Sequence, residues 1–291
     1  MKNIKRFLII VSLSLTSVSI FGQVDNSFFN EFGEIATNLP TSGPKEGLRP
    51  IEFLNPRADD IIWSKTVYRM IDLRERINAP LYFPEQSVDG RQNLFTLIFR
   101  LLEEGKINAY DYRNEREIFS DEYKIDFGRL LESYEVFYQA EIDPVTNEIF
   151  YSIDESDIPN REIMVYYLKE VWFFDKHSSI FNVKTIAICP VMFREEDGVG
   201  LARYPMFWVP FDMLRPHLSQ TEVMLTDRNN GMRISFDDLF IKRRYGSYVY
   251  KVSNIQNRSF LEYRNNVQDV HRSQAEVSTA LINFENDLWE Y

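Results

Sequence analysis

The residues of this chain able to do chemistry are three histidines, one cysteine and 44 carboxylates. A hydrolase built from them would need a nucleophile beside a base, two carboxyl groups in different environments, or a metal. His177, His217 and His271 are widely separated; no second histidine stands at a helical spacing and no H-E-x-x-H occurs. No G-x-S-x-G elbow presents a serine. Cys189 lies in the apolar run "AICPVMF", where a buried small hydrophobe is the economical reading, and a single cysteine makes no internal disulfide. The acid pairs Asp59-Asp60, Glu103-Glu104 and Asp237-Asp238 are adjacent residues, which on a helix point about 100° apart and form no facing dyad. "DRNNG", from Asp227, resembles the start of a calcium loop but lacks the closing bidentate acid. The sequence therefore assigns no catalytic residue, no metal ligand and no cofactor.

One cluster does stand out. In "SFDDLFIKRRYGSYVYKVSN", an acid pair is followed by Lys242, Arg243 and Arg244 and then by Tyr245, Tyr248 and Tyr250. Ser235 with Asp238 three residues on predicts a helix N-cap. Asp237 and Asp238 then fall in the first turn and the three cations in the last, where each sign complements the helix dipole by about 0.3 to 1 kcal/mol. Gly246 is expected to end the helix, and "SYVYKVS" alternates as a strand. A second use for the cations is a docking surface for an acidic partner. Nucleic acid is disfavoured by the acidity of the chain.

The elements that would carry these residues follow from composition and period. The 291 residues are 44% hydrophobic and 26% charged, as expected of a globular protein. "MKNIKRFLIIVSLSLTSVSIFGQ" has the charged start, short apolar core and small residues of a secretory signal, over residues 1–22. Cleavage would remove three cations (Lys2, Lys5, Arg6) and no acid, taking the net charge from -11 to -14. With no cysteine at the cleavage point, export without a lipid anchor is expected, and any membrane association would be indirect.

Residues 23–57 lack a period and read as an extended N-terminal arm whose scattered aromatics pack on the body or on a neighbouring subunit. From Ala58, the sequence predicts a helix start near Asp59, a strand in "TVYRMIDL", an extended "NAPLYFP", and an amphipathic helix in "NLFTLIFRLLEEG" stopped by Gly105. Residues 160–175 predict a second helix, "SIFNVKTIAICPVMF" a strand, and "YPMFWVPFDMLRPHL" a strand and a short helix. Asn230-Gly231 suits a hairpin turn. Pro80 against Pro190 and Phe95 against Phe207 suggest an internal duplication. The fold class expected is α+β: two loosely related modules, 58–150 and 151–258, with the arm before them and a C-terminal amphipathic helix, 259–291, after them.

In that last helix Val267, Val270, Gln274, Val277, Leu281, Phe284 and Leu288 step by three and four, a narrow seam for packing on the protein's own body or on a partner helix. The aromatic content of 15% suits protein interfaces as well as cores. A binding protein is the leading reading. Its rivals are a periplasmic hydrolase acting on cell-wall or glycan material, with convergent carboxylates in a cleft, and a freestanding ligand-binding protein with an apolar pocket.

Several long blocks in order, "IIWSKTVYRMIDLRERINAPLYFP", "GRQNLFTLIFRLLEEGKINAYD", "WFFDKHSSIFNVKTIAICPVMF", "FDMLRP", "SFDDLFIKRRYGSYVYKVSN" and "NFENDLW", resemble the GldN/PorN family of the type IX secretion system and gliding motility in Bacteroidota. The resemblance runs from about Asp60 to the C-terminus and leaves the arm unassigned. It implies a non-enzymatic periplasmic structural component. Such a protein assembles with copies of itself and a GldK/PorK-type outer-membrane lipoprotein into a large ring on the inner face of the outer membrane. It also meets a GldM/PorM-type periplasmic motor subunit. The family carries no catalytic or cofactor residues over. The interface candidates are this chain's own: Lys242, Arg243, Arg244, Val267, Val270, Val277, Leu281, Phe284 and Leu288.

Overall fold

The computed structural model describes residues 49–52, 56–88, 90–114, 118–142, 144, 149–196, 198, 200–224, 233–254 and 258–260, with scattered positions between 269 and 283. All belong to one compact unit, Ser42–Tyr291. The expected signal segment lies outside the described residues, as does all of the arm before Arg49.

The strands are β1 (Ile61–Asp72), β2 (Ala109–Asp111), β3 (Lys124–Ile125), β4 (Gln139–Ile142), β5 (Ile149–Ser152), β6 (Ile163–Asp175), β7 (Ile180–Glu196), β8 (Gly200–Pro205), β9 (Phe207–Pro210), β10 (Glu222–Met224), β11 (Arg233–Ser235) and β12 (Tyr248–Val252). The helices are α1 (Ala79–Tyr82), α2 (Leu94–Glu103), α3 (Phe127–Ser133), α4 (Phe211–Leu218) and α5 (Phe236–Ile241). Eight strands form one sheet in the order β12-β1-β6-β7-β9-β2-β3, with β8 also beside β7. Every pairing in it is antiparallel. The α+β class is as expected.

The sheet draws β1 to β3 from before residue 150 and β6 to β9 and β12 from after it, so the two expected modules share one sheet. The duplication fails residue by residue. Pro80 lies in the first turn of helix α1 and Pro190 inside strand β7. Phe95 is in helix α2 and Phe207 in strand β9. "NAPLYF" is thus not extended: proline is tolerated at a helix start, where its missing N–H has no partner to lose.

The largest correction is residues 160–175, which form a short 3-10 turn followed by β6 rather than a helix. Val165 and Tyr167 are buried on one face of the sheet and Tyr166 and Leu168 on the other, with Ile163, beyond a register shift, joining the latter side. A strand buried on both faces loses its polar alternation and reads as a continuous apolar run, as a buried helix would. Its β-branched and aromatic residues fit the pleated surface. At Asp59 the expected helix is one 3-10 turn, Ala58–Asp60, leading straight into β1.

Helix α2 forms as expected. The Asn93 side chain accepts from the Thr96 N–H at 2.8 Å, capping the first turn. Gly105 takes φ +66° and the N–H groups of Gly105 and Lys106 return to Leu102 and Leu101, closing the helix. Leu94 to Phe99, Leu101 and Leu102 are buried. They join Ile71, Tyr166, Leu168, Ile188, Met192, Phe207 and Val209 of the sheet, together with α4 and α5, in the main core. The opposite face of the sheet packs Tyr68, Tyr167, Cys189, Phe193, Trp208 and Tyr250 beneath Tyr112, Phe119 and Tyr123.

Candidate partner interface

The basic cluster is built by the end of α5. Ser235 caps the helix, accepting from the Asp238 N–H at 3.1 Å. The helix ends at Ile241, earlier than the sequence suggests, and Lys242 is its C-cap. Arg243 takes φ +49°, the left-handed position usually held by glycine, and the N–H groups of Arg243 and Arg244 return to Phe240 and Leu239. Gly246 does not stop the helix. It lies against Asn78, whose side chain bonds both the N–H (2.8 Å) and the carbonyl (3.0 Å) of Gly246. A Cβ at Gly246 would collide with Glu75 and Ile77.

The left-handed turn separates the three cations. Lys242 pairs with Asp238 one turn back, at 2.8 Å, and stays half-exposed. Arg243 turns inward to Glu170, whose side chain is fully buried in β6, at 3.0 Å. Its guanidinium also lies 5.7 Å from the Trp172 ring and 5.9 Å from the Tyr245 ring. Glu170 accepts further from the Trp172 indole N–H (2.9 Å) and the Tyr245 hydroxyl (3.4 Å). Burial, then the Glu170 carboxylate, raises the Tyr245 phenol, so it keeps its proton and can donate. Arg69 stands nearby, bonded to the Ser247 hydroxyl and carbonyl at 2.9 Å each. Arg244 is exposed.

Arg243 is therefore a core residue in function, holding a buried carboxylate. Sequence reasoning missed Glu170 because its neighbours made the segment resemble a helix; the signal available was a lone acid in "VYYLKEVWFF". Tyr245 and Tyr250 are buried and Tyr248 is half-buried, packed into the protein instead of forming an open row. A second buried pair was also missed. Arg215 of α4 meets Asp237 of α5 at 2.9 and 3.2 Å, and its guanidinium donates to the carbonyl of Ile51, tying the end of the arm to the body.

The terminal seam is described in part. Residues 272–277 are helical, and Val277 packs with Trp63 and Trp172 against Val67, Val249, Val252 and Phe260 of the body. Val267, Val270, Leu281, Phe284 and Leu288 lie outside the residues whose side chains are described.

The chemical candidates are placed as follows. Cys189 is fully buried, and burial pushes its thiol far up from the ordinary value, so it is not a thiolate. His177 is exposed; burial, then Lys106, lowers His217; His271 and Asp227 are outside the described residues. No group of three or more His, Cys, Asp or Glu that could hold a metal occurs among the described residues. No described helix is long and apolar enough to cross a membrane.

A cavity of about 720 Å³ is lined by Glu85, Glu135, Glu155, Asp157, Glu162 and Glu195 together with Arg161 and Arg194. Arg161 pairs with Glu85 at 3.0 Å, and Arg194 stands 3.5 Å from both Glu135 and Glu162. Glu155 accepts from the Ser87 N–H.

Sheet and core together define an α+β protein built on one large antiparallel sheet with two separate two-stranded hairpins among the described residues, and its buried charges serve the fold. A comparison with curated proteins returns no match. The sequence pattern of the family described as "Gliding motility associated protein GldN" matches residues 56–290. The chain belongs to the GldN family, and with it to gliding motility and type IX secretion.

Proposed function

We propose that this protein is a structural, non-enzymatic component of the type IX secretion and gliding machinery. In this reading it works in the periplasm, held at the inner face of the outer membrane by a GldK/PorK-type lipoprotein. Copies of the chain join that lipoprotein in a large ring and meet a GldM/PorM-type motor subunit. The observation that carries the reading is the family match across residues 56–290, nearly the whole chain after the arm. The signal-like residues 1–22 support export.

The test is affinity isolation of the tagged chain from gently solubilised envelopes, with the mass and members of the assembly determined. A very large complex containing an outer-membrane lipoprotein is expected. A particle of one chain, under conditions that preserve other envelope complexes, would overturn the reading.

Among the described residues, the acid-lined cavity is a feature that speaks for the rival hydrolase. Three of its six carboxylates, Glu85, Glu135 and Glu155, are hydrogen-bonded to an arginine or a backbone N–H, and a fourth, Glu162, stands 3.5 Å from Arg194. A glycoside hydrolase needs one carboxyl free to hand on a proton and a second placed across the scissile bond. Replacing Asp157 and Glu195 by Asn and Gln separates the two readings: loss of secretion with an intact assembly would favour the enzyme.

A further inference from the structure

The β4–β5 hairpin is the least covered element of the described fold. Its strands pair only with each other among the described strands, in the register Gln139↔Ser152 to Ile142↔Ile149. Ile142, Ile149 and Phe150 are 64, 53 and 55% exposed, and Phe137, leading into the hairpin, is 69% exposed. The base is held by Tyr151, which stacks edge-on against Phe127 and Tyr138. A group of large apolar side chains left in water on a projecting ribbon marks an interaction site, and free strand edges favour an added strand.

The charge beside it says what kind of strand. Both legs of the hairpin grow out of the acid-lined cavity. Tyr134, Glu135 and Val136 line it and run directly into Phe137; Ser152 returns through buried Ile153 to Glu155, Ser156 and Asp157, which line it again. Six carboxylates face two arginines there, and Glu141 adds an exposed acid on the hairpin itself. A second copy of this chain is a poor occupant. Its net charge is -11, and in its basic cluster Lys242 and Arg243 are already paired to Asp238 and Glu170.

We propose that the hairpin and the acidic cavity form one docking surface for an extended, basic segment of a different protein, with apolar side chains alternating with Lys or Arg. The apolar residues cover Ile142 and Ile149, which share one face of the hairpin, and the cations on the segment's other side pass Glu141 and Phe150, on the opposite face, to the cavity rim. This rests on the reading of the chain as part of an assembly and names the chemistry of one contact within it.

The experiment uses the chain lacking residues 1–22 and three fluorescent peptides of about eight residues: alternating Lys-Ile, Glu-Ile and Lys-Gly, followed by anisotropy. Lys-Ile is expected to bind, Lys-Gly about tenfold more weakly and Glu-Ile not at all. Ile142→Ser with Phe150→Ser, and separately Asp157→Lys with Glu195→Lys, should each weaken Lys-Ile binding about tenfold. Glu104→Lys with Glu122→Lys makes the same charge change away from the cavity and should leave binding within about twofold. Equal loss in this control, or no binding of Lys-Ile, would overturn the proposal, the first result meaning diffuse attraction to an acidic protein. Circular dichroism checks that each variant is folded.

In cells, benzoylphenylalanine in place of Phe150 should crosslink to a different protein whose crosslinked segment is basic. A crosslink to a second copy, or none within an intact assembly, would overturn the proposal. The two readings fail separately. An assembly that keeps all its members in the hairpin variants sinks the docking surface and spares the ring, whereas a lone chain that still binds Lys-Ile does the reverse.

Discussion

The end of α5 and the β4–β5 hairpin use the same kinds of residue to opposite ends. At the first, charges and aromatic rings close on one another: Glu170 is fully buried, and Arg243, Trp172 and Tyr245 satisfy it. At the second, apolar residues stand in water beside carboxylates that outnumber their cations. One member of a charge cluster conspicuous in sequence, Arg243, turns out to be structural, and a segment with no motif carries the exposed apolar surface. What separates them is whether the chain itself supplies the partner. In the core an unpaired charge is prohibitively costly, so partners are built in. On the surface water meets the charges, and a surplus can persist for another molecule to use.

Breaking the closed region should have the largest effect. Arg243→Ala leaves the Glu170 carboxylate buried without its cation and should destabilise by about 3 kcal/mol or more, read from the urea midpoint of the chain lacking residues 1–22. Glu170→Leu with Arg243→Leu should recover part of that loss. A double variant no better than the single would show that the pair is not the coupled unit described here.

The second buried pair sharpens the same contrast. Arg215→Leu or Asp237→Leu alone should cost about 3 kcal/mol, and the double substitution less than the sum. Because Arg215 also holds the Ile51 carbonyl, its loss should raise protease cleavage near residue 51, which Asp237→Leu should do to a lesser degree.

Gly246→Ala, which presses a Cβ into Glu75 and Ile77, should cost about 1 to 3 kcal/mol. Gly105→Ala, in open space but at φ +66°, should cost about 1 kcal/mol by backbone strain alone. If the two costs came out in the reverse order, the close approach at Gly246 would be wrong.

Acidification gives a smaller effect of defined sign. The Arg74 hydrogen bond holds the Asp72 carboxyl below its usual range, and the Lys242 hydrogen bond does the same for Asp238. A carboxyl lowered in the folded state contributes stability above its unfolded value, about pH 4, and loses it as pH falls through the folded value. Asp72→Asn and Asp238→Asn should each flatten the fall in stability below about pH 4; an unchanged pH profile would contradict both pairings. The hairpin marks the floor of the series: Ile142→Ser with Phe150→Ser should leave folding stability within about 0.5 kcal/mol, as expected of exposed positions.

Much of this could be read from the sequence where the signal is local. Asn93, Gly105, Ser235 and the pair Asp237-Asp238 announce caps and first turns within a few residues of where they act. The strand in "SIFNVKTIAICPVMF" forms where expected, and β10 pairs with β11 on either side of the expected turn at Asn230-Gly231, which itself lies outside the described residues. Residues 160–175 could not be told from a helix, because burial of both faces removes the polar alternation that distinguishes a strand. Among the candidate interface residues, Lys242 and Arg244 could be placed at the surface from charge alone. The inward turn of Arg243 follows from a left-handed backbone position that the sequence marks with no glycine.

The sequence by itself determined the family, the α+β class, the caps, and the absence of recognisable catalytic motifs, since each depends on residue order over short spans. Only the tertiary structure decided that both halves share one sheet, that Arg243 belongs to Glu170 and Arg215 to Asp237, and that the hairpin stands beside an acidic cavity. Arg243 and Glu170 are 73 residues apart and Arg215 and Asp237 are 22 apart. Whether a charge finds its partner over such distances depends on strand order and register, and these are settled by burying the whole apolar surface at once.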